Sequence, residues 1–583
     1  MKTIFFAAAG LVAVALVILI QKKLLKVKCG FDSAVFPLVI LPFWAGGFYT
    51  FLSPCLSLYL LWFIIRNSRK KGAFILYRNE KLLAIGAMLF AAALSPLWAA
   101  DRGMCLYGVV KTFPFLLYMF LLMQLDGSER GKAYAVLPVC GAAMTLLCVL
   151  LQFVPVFERF VTVNHRLSGF FEYPNVYAAF LLVCLAISGT QKVRLRFGAV
   201  VDAVLIFGIF GSGSRTAFVL LLILLPVLMI TRREKKYCLQ ECGLLAVAFV
   251  FSYALSLLGG SVNAARYLTT SSNASTFLGR ILYFKDALPV IARNPLGLGF
   301  WGYYETQGSF QTGVYTVAFV HNELLQLLLD YGWIPTALLC FALVRSFFAK
   351  RAGLTERFVM GIILAHSMMD FDLQFSVMWL LLLFVMDLRG GKKYVITKAG
   401  AKMAALAVAC VFTVLTGWLG LADACYQAGN SVACLRVNPF HTQALEQALT
   451  DANTTQEMDE LSTRILKLNK NAPLAHNAQA NVFFSQGNVA RMITEKERAI
   501  QYDRYSLDEY CDYIGKLYTV MQLYQSAGDN KSADYCRNKI LSVPAVLERL
   551  RAQTDPLAWR ITDKPSFDLP EDYQKLLEML KRT

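Results

Sequence analysis

Charge is scarce in this sequence. Only 16% of its 583 residues are Asp, Glu, Lys or Arg, while 57% are hydrophobic, a balance far from that of a soluble globular protein of this length. Acidic side chains are fewer than basic ones, 39 against 57, and histidine occurs five times. The 14 cysteines contain no Cys-x-x-Cys pair and no ligand-like spacing, which excludes the usual signatures of a zinc site or a redox motif. Most of them read as small apolar packing residues. Cys425, Cys434, Cys511 and Cys536 lie in the C-terminal region from residue 425 onward and either form disulfides or stay reduced. A nucleotide fingerprint is missing too: the glycines of GLGFWG at 297–302 follow no strand and have the wrong spacing. The opening TIFFAAAGLVAVALVILI has no basic stretch before it and no small-residue cleavage site. It is expected to remain as a span and not to be removed as a signal peptide.

What is present in quantity is apolar sequence in membrane-sized lengths. Crossing a ~30 Å hydrocarbon core takes roughly 20 residues, and candidate spans occur at 4–20, 34–49, 51–66, 82–99, 106–124, 134–155, 172–188, 198–210, 214–230, 242–258, 332–349, 357–368, 375–388 and 402–422. The expected fold is therefore all-α and polytopic, with about 12–14 membrane helices. The loops QKKLLKVK, RNSRKKGAFILYRNEK, QKVRLRF, TRREKK, RSFFAKRAGLTER and RGGKKYVITK alternate with loops poor in cations. By the positive-inside rule they face the cytoplasm, which leaves the N-terminus, the long loop 259–320 and the C-terminal region outside. The net charge of +18 follows from this pattern and from contact with anionic lipid headgroups, so nucleic acid need not be invoked.

From residue 425 the character changes. Apolar residues recur with helical period, and Asn, Gly, Asp and Pro punctuate the segments. Residues 1–424 are thus expected to form a membrane domain and 425–583 a soluble, extracytoplasmic helical one. Two stretches resemble degenerate tetratricopeptide units: Ala478 and Ala480, then Gly487-Asn488, then Ala499-Ile500; and Tyr510 through Gly528 to the helix after it. Stacked helix pairs make a groove that can hold a partner; an ordinary helical bundle is the alternative.

Charges against a bilayer are costly and tend to mark function. In GIFGSGSRTAFVLLLILL (208–225), glycines free the backbone, Ser214 can cap the next helix and Arg215 stands in its first turn. Backbone N–H groups and a guanidinium at a helix N-terminus suit a phosphate; an interhelical turn with an arginine reaching to headgroups fits the pattern equally. TFLGRILYFKDALPVIARNPLGLGFWGYY (276–304) carries Arg280 and Arg293 on a segment whose Leu278, Ile281, Leu282, Leu288 and Ile291 form an apolar stripe. Such a helix is expected to lie along the membrane surface. In FVHNELLQLLLDYGW (319–333), Asn322 can cap a helix and His321 sits at its start, where the dipole disfavours protonation and leaves a neutral base or donor. His366 and Asp370 in HSMMDFDLQF are four apart and are expected to pair on one helical face. VNHRLSGFFEYPNVYAAF (163–180) reads as a turn that offers Arg166 as an available cation.

The order of these motifs, over roughly residues 80–390, resembles the O-antigen ligase and polymerase superfamily of bacterial membrane glycan transferases. The most specific parts are the Ser-Arg pair at a span start, the long loop with Asn-Pro-Leu-Gly, and His-Asn followed by Leu-Gln and Gly. The resemblance implies a glycosyltransferase-C-like, inverting enzyme that needs no metal or cofactor. Its donor would be an undecaprenyl-pyrophosphate-linked glycan and its acceptor a glycan, lipid or protein at the outer face of the cytoplasmic membrane. By position it assigns catalysis to Arg215, Arg280 and His321 and matches Arg166 to a further basic residue of the family; Arg166, Ser214, Asn322 and Arg293 are the expected substrate contacts. The appended helical domain departs from the minimal ligase pattern and suggests a polymerase, or a transferase engaging a protein or a long glycan. Protein O-oligosaccharyl transfer is one alternative. A polyprenyl-glycan transporter is another, although its charges should cluster near the bilayer midplane in two related halves, and no such internal repeat is visible.

Overall fold

The computed structural model describes residues 34–125, 128–191, 197–232, 235–257 and 275–582. The expected span 4–20 and the basic loop QKKLLKVK lie outside them, as do most of QKVRLRF and the first part of the long loop 259–320. The chain is about 76% helical with little strand, so the all-α expectation holds.

Among the described residues four helical segments have the length and apolar composition to cross a membrane: Glu80–Leu97, Tyr107–Gln124, Gly131–Leu151 and Ala399–Gln427. Six further apolar helices are shorter: Pro174–Thr190, Gly198–Ser212, Arg215–Thr231, Cys242–Ala254, Trp333–Phe347 and Ser376–Val385. Two expected spans, 332–349 and 375–388, are shorter as helices, Trp333–Phe347 and Ser376–Val385, and a third is broken. The 34–49 segment is not one helix, because Ala45, Gly46 and Gly47 have φ of 47°, 60° and 76° and three left-handed residues in succession end any right-handed helix. Gly46 is required there, since a Cβ would lie 2.5 Å from the Phe171 ring. Later in the chain, Gly332 (φ 82°) separates the Glu323–Tyr331 helix from Trp333–Phe347.

The bundle has two chemically different ends. At one, β1 (Phe74–Arg78) pairs antiparallel with β4 (Lys392–Ile396), in the register Phe74↔Ile396. This small sheet joins two of the basic loops, and Lys402 donates to Gly72 O beside it at 2.8 Å. The 29-residue Ala399–Gln427 helix, about 43 Å long at 1.5 Å per residue, carries the chain from that sheet to the opposite end, where the C-terminal helices begin. There Ala100 N donates to Leu298 O (2.9 Å) and Arg102 N to Leu468 O (3.0 Å).

Two short helices form the centre. Pro174–Thr190 is buried at nearly every position, and Ser376–Val385 at all ten. Helices that are apolar all round belong inside a bundle, and both of these begin at the end that meets the C-terminal domain.

That domain is built from antiparallel helix pairs. Pro473–Ser485 and Val489–Tyr502 are joined by Gly487 (φ 70°) and Asn488, whose side chain accepts from Arg491 N. Leu507–Ser526 and Asn530–Gln553 are joined by Gly528 (φ 76°) and Asp529, which caps in the same way through Ser532 N. Both turns use a left-handed glycine to stop one helix and an Asx side chain to start the next. Cys425, Cys434, Cys511 and Cys536 are free thiols.

The Ser275–Arg293 helix corrects the surface-helix expectation. Leu278, Leu282 and Ile291 are buried, but against protein: Leu278 and Leu282 pack on Tyr315, Ala558 and Ile561, and Ile291 on Leu298 and Leu329. Leu288, counted in the expected stripe, is 55% exposed.

Candidate site at the Asp370 hub

The site is assembled from four connections between helices and from the Ser275–Arg293 helix. The first is a tight hairpin: β2 (Thr162–Val163) and β3 (Arg166–Leu167) pair antiparallel, and the two residues between them, Asn164 and His165, have φ of 49° and 55°. Two left-handed central residues make the turn type that matches strand twist, and Asn suits it. Arg166 leaves this hairpin fully engaged: its Nε donates to Ser212 O and its Nη2 to Asn175 Oδ1, both at 2.6 Å. The available cation expected from sequence is therefore a structural link.

The second connection is the Ser212–Arg215 turn. Gly213 (φ 59°) closes the Gly198–Ser212 helix, and the Ser214 hydroxyl accepts from Ala217 N at 3.4 Å as the next helix starts. Ser214 is buried, so it works as a cap, as its position suggested. Arg215 is half-buried, and its Nε is shielded from solvent with no hydrogen-bond partner. A buried guanidinium N–H without a partner costs free energy, and a negatively charged ligand would remove that cost.

Asp370 is the centre. It is fully buried and accepts from Asn175 Nδ2 (2.6 Å), Tyr173 Oη (2.9 Å) and Arg280 Nη2 (3.0 Å). The Nδ1 of His321 stands 3.3 Å from its Oδ1. Burial opposes the charge of Asp370, but the Arg280 guanidinium and the His321 ring outweigh it and hold the carboxyl well below the usual carboxylate range. A His321 ring protonated on Nδ1 alone would donate to Asp370 and keep its lone pair on Nε2. The ring is fixed by Phe371, edge-on at 4.9 Å, and by Tyr283 at 6.1 Å. His321 has φ 57°, an uncommon backbone state for a residue with a Cβ.

His366 and Asp370 do not pair. The helix Leu354–Ser367 stops before Asp370, so the i,i+4 relation does not apply. His366 Nδ1 instead meets Asp372, 2.7 Å from Oδ2, and Ser367 Oγ donates to the same oxygen at 3.1 Å. Asn322 caps the Glu323–Tyr331 helix through Leu325 N (3.1 Å), while its amide donates to Met368 O (2.9 Å). It thereby ties the His321 turn to the Asp370 turn. Arg293 is exposed at the far end of the helix that carries Arg280. Thirteen residues separate the two, about 20 Å of helix, and the structure does not bring Arg293 into the cluster.

Sequence reasoning missed Asn175, Tyr173 and the role of Asp370. The signal for Asn175 was its place at the start of a span, after Pro174; nothing local marked Tyr173. Glu323, two positions on from His321, cannot share its helical face. It is buried beside the site, 3.4 Å from Gln374 Nε2, and the Gln374 carbonyl accepts from Lys111 Nζ at 3.2 Å. Among the described residues, no three His, Cys, Asp or Glu side chains gather as a metal site would require.

Residues 200–340 match the O-antigen ligase family model. The matched stretch contains Ser214, Arg215, Arg280, Arg293, His321 and Asn322; Arg166, Asp370 and the C-terminal helices lie beyond it. The chain matches no curated protein and no solved structure. The match supports a function of the O-antigen ligase or polymerase type, and so a glycosyltransferase-like enzyme in broad terms.

Proposed function

We propose that this chain transfers glycan from an undecaprenyl-pyrophosphate carrier to an acceptor hydroxyl at the outer face of the cytoplasmic membrane, with inversion at the anomeric carbon. The observation that carries the reading is Asp370, one buried carboxylate that joins the His321 ring to the Arg280 guanidinium.

The sugar C1–O bond to the diphosphate breaks as the acceptor oxygen attacks C1 from the opposite face. His321 Nε2 takes the acceptor's proton, and Asp370 steadies the imidazolium that forms. Negative charge grows on the leaving diphosphate, and Arg280 with the unpartnered Arg215 Nε meets it. Guanidiniums already in place stabilise the transition state more than the ground state, because nothing has to reorganise as charge develops. Arg166, Asn175, Ser214 and Asn322 hold these groups in place and touch no substrate in this scheme. Arg293 is left to the lipid headgroups.

The reading also draws on the two-ended bundle. The polyprenyl tail needs lipid, so the diphosphate should sit at headgroup level, and the Asp370 cluster is at the end opposite the cation-rich β1–β4 sheet. If that sheet faces the cytoplasm, the cluster faces outward.

The test uses purified protein in liposomes with a lipid-linked glycan and a hydroxyl-bearing acceptor. Wild type should form a new glycosidic bond. Arg215→Ala and Arg280→Ala should each slow turnover by about 10²–10³-fold, and His321→Ala by about 10²–10⁴-fold. Wild-type rates in all three would sink the assignment, and movement of glycan lipid across the bilayer without bond formation would replace it with transport.

A further inference from the structure

The Asp370 cluster leaves one built feature of the molecule unused. A groove of about 830 Å³ runs along the C-terminal domain between the helices Thr455–Leu468, Pro473–Ser485 and Val489–Tyr502. Its walls carry Lys467 and Lys470 on one side and Arg491 and Arg498 on the other, and all four are exposed. The single carboxylate in the lining, Glu495, is already engaged: it accepts from Arg498 at 2.9 Å and faces His476 Nδ1 at 2.6 Å. Among the described residues, Lys467, Lys470 and Arg491 have no acidic partner. The groove is therefore locally basic inside a domain that is otherwise balanced, with 19 Lys and Arg against 20 Asp and Glu over residues 425–583.

Two rings complete it. Tyr502 stacks on His476 at 5.4 Å, and Phe483 lies half-buried under Arg491, 5.4 Å from its centroid. Leu466 is the sole aliphatic side chain in the lining. A helical peptide bound in a groove needs a row of apolar anchors at i, i+3, i+4 and i+7, which one leucine does not supply. Sugar rings need something else: flat aromatic surfaces for their C–H faces, polar side chains for their hydroxyls, and cations for any carboxylates. Thr463 and Thr494 add hydroxyls to that set.

One end of the groove abuts the membrane domain. Tyr502 ends the helix that packs on Gly302–Phe310; a Cβ on Gly308 would fall 2.2 Å from the Tyr502 carbonyl oxygen. Arg504, two residues on, donates through Nε to Gln311 O at 3.0 Å. Ten residues further along that loop stands His321.

We propose that this groove binds a carboxylate-bearing glycan chain, of the uronic-acid type, and holds it beside the transferase core as acceptor or as growing product. The inference rests on reading the chain as a glycan transferase, and it names the substrate class that the site would serve.

The test is direct binding by the full chain in detergent micelles or nanodiscs, with a linear uronic-acid oligosaccharide as probe. Its methyl-esterified, uncharged form and a poly-glutamate peptide serve as comparisons. Wild type should bind the charged oligosaccharide at least tenfold more tightly than the ester, and binding should weaken as salt rises. The quadruple variant Lys467→Gln/Lys470→Gln/Arg491→Gln/Arg498→Gln should lose at least tenfold in affinity while melting within a few degrees of wild type, because all four side chains are exposed. His321→Ala, assayed in parallel, should bind as wild type does. Binding that persists when transfer proves absent thus leaves the groove standing and the catalytic reading overturned. Equal affinity for the ester, or unchanged affinity in the quadruple variant, overturns the groove. Tighter binding of poly-glutamate than of the oligosaccharide overturns it in favour of a peptide.

Discussion

At the scale of single residues, the site depends on one carboxylate and one strained turn. Removing the charge of Asp370 leaves Arg280 largely buried without its counter-charge, and breaking a buried pair costs about 3–5 kcal/mol. Asp370→Asn should therefore lower thermal stability and turnover together. Combining Arg280→Gln with Asp370→Asn should cost less stability than the sum of the two, because the double variant buries no lone charge. Additive melting shifts would show that the pair is not coupled. His321 makes a separate prediction. A left-handed residue with a Cβ costs roughly 1–2 kcal/mol relative to glycine, so His321→Gly should melt higher than His321→Ala although both lose transfer. An alanine variant at least as stable as the glycine variant would contradict the strain. Of these features, His321, Asn322 and Arg280 were legible in the sequence as polar residues at the edges of apolar helices. The partner of Asp370 was not, because pairing it with His366 assumed a helix that ends at Ser367.

At the scale of elements, the Ser275–Arg293 helix connects the site to the C-terminal domain. Arg280 faces Asp370, while Leu278 and Leu282 pack on Ala558 and Ile561. Lys285 pairs with Asp555, and Ser275 Oγ lies 2.8 Å from Thr562 Oγ1. The position of Arg280, the arginine proposed to meet the leaving group, thus depends on residues nearly 300 positions away. Gly308 tests the neighbouring contact. With the Tyr502 carbonyl 2.2 Å from where its Cβ would stand, Gly308→Ala must push the Gly302–Phe310 helix away from the C-terminal domain. It should lower the melting temperature by several degrees, whereas Gly487→Ala, which meets nothing within 4 Å but has φ 70°, should act only through backbone strain. The amphipathic period of Ser275–Arg293 was visible in the sequence. What the stripe would meet was not, since a lipid surface and a protein surface select the same apolar residues.

At the scale of the whole molecule, three carboxyl groups lie where the membrane domain meets the C-terminal domain. Asp101, fully buried, accepts from Thr442 at 2.8 Å; Glu305 accepts from Asn469 at 3.0 Å; Glu446 is half-buried nearby. Burial raises Asp101 to about 6, Glu446 to about 7 and Glu305 well above the carboxylate range. In a detached domain these groups would titrate near 4, so the docked form binds more protons. Its stability is fully present below about pH 4 and is lost as pH rises through 6 to 7. Wild type should accordingly melt higher at pH 5 than at pH 8, and Glu446→Gln should flatten the dependence; a melting temperature that rises over that interval would contradict it. Deleting residues 425–583 would uncover Leu278 and Leu282 and free the Arg280 helix, so the truncated protein should lose transfer even with His321, Arg215 and Arg280 intact.

Composition alone determined that this is an all-α membrane protein, because apolar runs of that length and number have no stable place in water. Cap and turn residues such as Gly213, Ser214, Asn322 and Gly528 likewise fixed where helices start and stop, since those are local matters of backbone sterics and orphan hydrogen bonds. Which charges meet was decided only in three dimensions. Arg166, Asn175, Arg280, His321 and Asp370 come from four separate stretches spread over two hundred residues, and the energy that joins them is the cost of burying a charge without a partner. That cost can be read only once packing has shown what is buried together.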